Sequence, residues 1–139
     1  MSHTRWQHHH EWSGEPRHVH DVRRFVATSL ARHGLDAMVQ DAVLVASELA
    51  TNAVLHARTT FAVSLSRVDG HVLLQVADAS SNPPRRASGD PLDASGRGLS
   101  IVETVSQAWG VDNPADGLKR VWASLPVPPF GDSGRPMKP

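Results

Sequence analysis

The sequence predicts an α/β two-layer sandwich: a mixed, mostly antiparallel sheet with helices on one face. Three observations predict it. Val45 to Ala57 form a long stretch rich in Ala and Leu and free of Gly and Pro, which reads as helix. A second helical pattern precedes it, with Val19, Val22, Phe25, Val26 and Leu30 at helical spacing. After both come residues that alternate apolar and polar on either side of Asp69-Gly70, a strong two-residue hairpin signal.

Composition bounds the function. The chain has 139 residues, enough for one domain with a real core. Its 14 basic and 14 acidic residues balance, so nothing supports a nucleic-acid or membrane partner held by bulk charge. There is no Cys, hence no disulfide, no thiolate metal site and no Cys nucleophile. This fits a reducing cytoplasm. The first residues lack an apolar core, so no signal peptide is expected. No apolar run approaches the roughly 20 residues needed to span a bilayer.

Residues 1–14 read as a flexible, His-rich tail containing His3, His8, His9, His10, Trp6 and Trp12. The His run suggests metal, but successive His residues in an unstructured segment have no fixed geometry. Residues 15–125 are expected to form the domain, and 126–139 a Pro-rich disordered tail. Ser13-Gly14-Glu15-Pro16 opens the first helix, and Gly34 stops it. Arg17, Arg23, Arg24 and Arg32 make either a solvated face or part of a partner surface. Asp36 is expected to cap the central helix.

That helix carries the chemistry. Glu48 and Asn52 are four residues apart, so their side chains share one face, roughly 5–6 Å apart at Cβ. Asp41, Leu44, Val45 and Leu55 fall near that face, and the opposite side is apolar as well. A helix apolar all round is buried, and buried polar groups cost free energy unless something bonds them. Two readings fit. Glu48 and Asn52 bond each other or nearby backbone, or they face a hydrated divalent cation. In the second case the Asn52 carbonyl is a Mg²⁺ ligand and Glu48 holds a water or takes a proton from a hydroxyl.

The strand from His71 to Asp78 places Val72, Leu74, Val76 and Asp78 on one parity. Asp78 then either turns out to solvent or sits at the mouth of an apolar pocket, accepting from an exocyclic amine such as that of adenine. A long loop, Ala79 to Arg97, leads to Gly96-Arg97-Gly98-Leu99 and a helix start, where backbone N–H groups favour phosphate. That helix is expected to end near Trp109-Gly110. A short strand around Val111 and a final strand from Lys119 to Leu125 complete the domain.

The order of these motifs resembles the GHKL ATP-binding fold shared by histidine kinases, gyrase-type ATPases and anti-sigma factor kinases. It is most similar to the stand-alone anti-sigma regulatory factor branch of actinomycetes. Ser47 to Ala57 resembles that branch's N box almost letter for letter. Val76-Ala77-Asp78-Ala79-Ser80 is similar to its G1 box, and Gly96-Arg97-Gly98-Leu99 to its G2 box.

The resemblance implies roles. Asn52 holds the Mg²⁺ that bridges ATP phosphates, Glu48 is the catalytic base, and Asp78 accepts from the adenine amine. Ser80, Gly96, Arg97, Gly98 and Leu99 line the cofactor, with the 79–95 loop as a lid. His56 either borders the nucleotide or closes the helix. The implied activity is a serine/threonine protein kinase that phosphorylates an antagonist (anti-anti-sigma) protein and otherwise holds a sigma factor inactive, working as a homodimer. Ser80 stands where many GHKL proteins have Gly, and Arg120 where the last strand often has Thr. Those departures define the alternative: a weakly catalytic or inactive nucleotide- and partner-binding module on the same fold.

Overall fold

A computed structural model describes residues 4–56, 59–79, 101–112 and 117–128. In chain order the elements are β1 (Thr4–Trp12), α1 (His18–Arg32), a 3-10 turn (Asp36–Met38), α2 (Val39–His56), β2 (Phe61–Val68), β3 (His71–Asp78), β4 (Ala108–Asp112) and β5 (Lys119–Pro126). A short helical segment, 101–105, precedes β4.

The five strands form one sheet in the order β1-β2-β3-β5-β4. All four pairings are antiparallel, so among the described residues the sheet is antiparallel rather than mixed. The β2–β3 hairpin turns where expected. Val68 pairs with His71, and Asp69 takes the left-handed conformation at φ 52° that a tight two-residue turn demands. Alternation then sorts the side chains. Phe61, Val63, Leu65, Val72, Leu74, Val76, Val121, Ala123 and Leu125 form the buried inner face.

Helices α1 and α2 pack on each other, and α2 lies against β2, β3 and β5. Helix α1 buries Val22, Val26 and Leu30, as its spacing predicts. It ends at Gly34 (φ 71°), where the Leu35 N–H bonds back to the Leu30 carbonyl at 3.0 Å. Asp36 does not cap α2. It opens the 3-10 turn, with no side-chain cap bond, and α2 starts at Val39.

Two further expectations change. The stretch Asp36–Leu55 is, by length and composition, long and apolar enough to cross a membrane. However, 56% of its most apolar window is buried inside the fold, as in the core helix of a packed domain. And the segment before β4 leaves helix at residue 105, with Trp109 and Gly110 in a strand, because Trp109 and Val111 pack against the inner face.

The largest correction is at the N-terminus. The expected flexible tail is a nine-residue edge strand, Thr4–Trp12, paired antiparallel to β2 from Thr4↔Val68 to Trp12↔Phe61. Trp6, His8, His10 and Trp12 share the inner parity, and Trp12 meets Phe25 edge-on at 5.6 Å and Phe61 at 6.0 Å. Aromatic docking holds a strand that polar composition alone would leave loose. At the other end, order extends past β5: the Val127 N–H donates to the Gly70 carbonyl at 2.9 Å.

Candidate functional site

Helix α2 is not buried all round. Ala42, Val45, Ala46, Leu49, Ala50, Ala53 and Val54 face the core, while Leu44 is 40% exposed and Leu55 49% exposed. Asp41 is exposed and Glu48 half-buried. The Glu48 face therefore opens outward.

At the inner edge of that face sits Asn52, 3% exposed. Neither its Oδ1 nor its Nδ2 has a hydrogen-bond partner among the described residues. Most buried side-chain polar atoms are bonded, and an amide left without a partner costs on the order of 1–3 kcal/mol. Among the described residues, then, Asn52 is bonded neither to Glu48 nor to nearby backbone.

The neighbouring hydroxyls of the same motif have structural work. Ser47 Oγ donates to the Val43 carbonyl at 3.0 Å and accepts from Arg23 Nε at 3.1 Å, which ties α1 to α2. Thr51 Oγ1 donates to the Ser47 carbonyl at 2.6 Å. Arg23 thus makes one contact within the fold through Nε, while the residue itself stays exposed.

Asp78 lies at the end of β3, on the inner face with Val72, Leu74 and Val76, and is 2% exposed. It does not turn out to solvent. Directly across the β3–β5 pairing stands Lys119, also 2% exposed, with Nζ 3.9 Å from Asp78 Oδ2. Lys119 was not singled out from the sequence, although it shares the odd parity of Val121, Ala123 and Leu125. Arg120, by contrast, is on the other parity. With Gln75, Ala77, Ala62 and Ser64 it lines a groove on the sheet face away from the helices. The residue of the last strand that reaches Asp78 is Lys119, not Arg120.

Ser80, Gly96, Arg97, Gly98 and Leu99 lie outside the described residues, as does the loop expected to be a lid. Helix α2 ends at His56.

No group of three or more His, Asp or Glu side chains able to hold a metal occurs among the described residues. The His run illustrates why. His8 and His10 share one parity of β1 and His9 takes the other, so strand geometry divides the triplet between two faces. A sparse donor set still suits Mg²⁺, which keeps several waters and takes one or two protein ligands plus phosphates. The unpartnered Asn52 carbonyl fits that requirement.

Residues 12–125 match the family model for the histidine kinase-like ATPase domain. Among solved structures, the histidine kinase AdeS of Acinetobacter baumannii is similar at a TM-score of 0.49 and 12% identity, over 87% of this chain and 68% of that one. No curated protein matches the chain. The buried helix with its unsatisfied amide, the carboxylate at the strand end and a family match over most of the sequence lead to one conclusion: this chain belongs to the histidine kinase-like ATPase domain family, an ATP-binding fold.

Proposed function

We propose that the domain binds ATP–Mg²⁺ between α2 and the glycine-containing segment, and phosphorylates a Ser or Thr of an antagonist protein. The observation that carries this reading is the Asn52 amide, buried with no partner inside a domain of an ATP-binding family. Bound Mg²⁺ supplies charge neutralisation on the phosphates. Asn52 provides an oxygen for it. Glu48, one turn earlier, takes the proton of the attacking hydroxyl as the bond to the γ-phosphorus forms and ADP leaves. Asp78 accepts from the adenine amine, Ser80 lines the base site, and the N–H groups of Gly96, Arg97, Gly98 and Leu99 cradle phosphate.

The finer reading follows the resemblance of the Ser47–Ala57 motif. The protein sequesters a sigma factor, releases it through partner switching with the antagonist, and works as a homodimer in the cytoplasm. Calorimetry with ATP and Mg²⁺ tests the first step, and transfer of labelled phosphate to the antagonist tests the second. Asn52→Leu is expected to melt like the parent yet lose nucleotide binding. Glu48→Gln is expected to bind ATP and transfer nothing. If the parent shows no binding at millimolar ATP, the second reading takes over: a partner-binding module without kinase activity. The Lys119 ammonium beside Asp78 favours that reading, since it engages the carboxylate meant for the base.

A further inference from the structure

Two of the arginines on or beside α1 are engaged locally. Arg17 donates to Glu15 at 3.3 Å, and Arg23 to Ser47 at 3.1 Å. Arg24 and Arg32 are exposed, and neither guanidinium makes a hydrogen bond or ion pair with another described residue. Both line a groove of about 360 Å³ between α1 and β1, with aromatic surface from Trp12 and Phe25. The one carboxylate in it, Asp21, lies in electrostatic range of Arg24 and is bonded to His18 Nδ1 at 2.8 Å.

The groove follows the rim of the sheet. His8, His9 and His10 all line it, although His9 has the opposite parity to its neighbours, so it touches the strand's backbone edge and not one face alone. Among the described residues β2 pairs with β1 on one side and no strand pairs on the other. Such an edge presents N–H and C=O groups that a further strand can bond. Helix and strand run side by side, since Trp6 stacks on His33 toward one end and Trp12 meets Phe25 toward the other.

We propose that this groove docks an extended acidic segment of another protein, added as a strand to the rim of β1, with carboxylates paired to Arg24 and Arg32. Eight helical residues separate the two arginines by about 12 Å. Residues four apart on a strand share a face and lie about 13 Å apart, so carboxylates at that spacing match both. Exposed Thr28, midway between the arginines, offers a hydroxyl to the residue between them. A second copy of β1 is a poor occupant, because its Arg5 and Glu11 cancel and leave no complement to the arginines. A nucleic-acid backbone fits less well, because phosphates only accept and leave the rim carbonyls without donors. None of the residues assigned to ATP lines this groove, and neither reading depends on the other.

The test is fluorescence anisotropy of the full chain with labelled nine-residue peptides near neutral pH. The first peptide has Glu at its third and seventh positions among Thr and Ser. A second moves the later Glu to the sixth position, onto the opposite face, and a third replaces both Glu by Lys. The first is expected to bind about tenfold more tightly than either of the others. Arg24→Gln combined with Arg32→Gln is expected to remove that advantage, and Arg17→Gln to change affinity less than twofold. All three arginines are exposed, so these changes leave the core intact. Strand addition turns alternate peptide amides toward β1. N-methylation of the first peptide at either the odd or the even positions is therefore expected to abolish binding, and at the other set to be tolerated.

No binding at millimolar peptide overturns the proposal. So does equal binding of the second peptide, or affinity unchanged by the double arginine substitution. Tolerance of both methylation patterns overturns the strand geometry. Tighter binding of a nine-nucleotide oligothymidylate at the same arginines reassigns the groove to nucleic acid. A dimeric parent whose β1 amides are already protected from exchange, and which binds no peptide, reassigns the rim to a second copy.

Discussion

Trp6 of β1 and His33 just after α1 lie face to face, ring centroids 4.1 Å apart and planes 1° from parallel. His8 completes the clasp, its Nε2 2.8 Å from His33 Nε2. A hydrogen bond between two imidazole nitrogens needs one N–H and one lone pair, so protonating the acceptor ring removes it. Burial, first, and then His8 and Arg32 hold the His33 pKa below its ordinary 6.5. A depressed folded-state value means that the contribution is present above about pH 6.5 and is lost as pH falls through the lowered value. The strand is therefore expected to loosen as the solution is acidified from pH 7 toward pH 5. Trp6 emission and amide exchange over residues 4–12 should both report it, and His33→Gln should flatten the profile. A profile unchanged by that substitution would falsify the clasp.

The unpartnered Asn52 makes an unusual stability prediction. Replacing a buried, bonded polar group is normally destabilising, but this amide has no bond to lose. Asn52→Leu should leave the nucleotide-free protein within about 1 kcal/mol of the parent, or make it more stable. Leu49→Ala on the same helix, where the side chain is 2% exposed, should cost about 2–5 kcal/mol. Urea denaturation of the two variants side by side checks the contrast.

For Asp78 and Lys119 the expectation is coupling. Changing either alone leaves a charge on the other in a closed environment, at a cost of about 3–5 kcal/mol. Asp78→Leu combined with Lys119→Met should cost clearly less than the sum of the single changes. Additive effects in a thermal-denaturation cycle would show that the two groups are energetically independent.

Gly110 sits beneath the indole of Trp122, its cross-strand neighbour. A Cβ there would lie 2.8 Å from Cζ2, 2.9 Å from Cε2 and 3.0 Å from Nε1 of that ring. Gly110→Ala should destabilise by about 1–3 kcal/mol and shift Trp122 emission, and adding Trp122→Leu should recover most of the loss. Recovery failing, the strain lies in the β4 backbone and not in the ring.

Much of this fold was legible in the sequence because period and punctuation agree. The α2 stretch, the Asp69-Gly70 turn and the Gly34 stop each combine a side-chain pattern with a residue whose backbone preference matches it. What escaped was decided by tertiary contacts. β1 looks like a polar tail because five of its nine residues are Gln, His or Glu between two Trp, yet the parity of Trp6, His8, His10 and Trp12 was there to be read. Its partner surface on α1 and β2 exists only once the chain has folded. Half of α2's Glu48 face was misjudged for the same reason: periodicity places Leu44 and Leu55 on a stripe, but cannot say whether anything covers it. Among the candidate residues, Asn52 and Asp78 were singled out through motif and parity. Lys119 was hidden, because a Lys in a strand is usually outward, and only the register with Asp78 reveals where it points.

The placement of β1 has a practical consequence for anyone shortening this protein. The family match begins at residue 12, so a fragment cut to that boundary discards nearly the whole strand. The amides and carbonyls of β2 that now bond to it would then lie along a bare rim. Exposed rims of that kind recruit other chains, and light scattering of such a fragment should reveal self-association that the 139-residue chain resists.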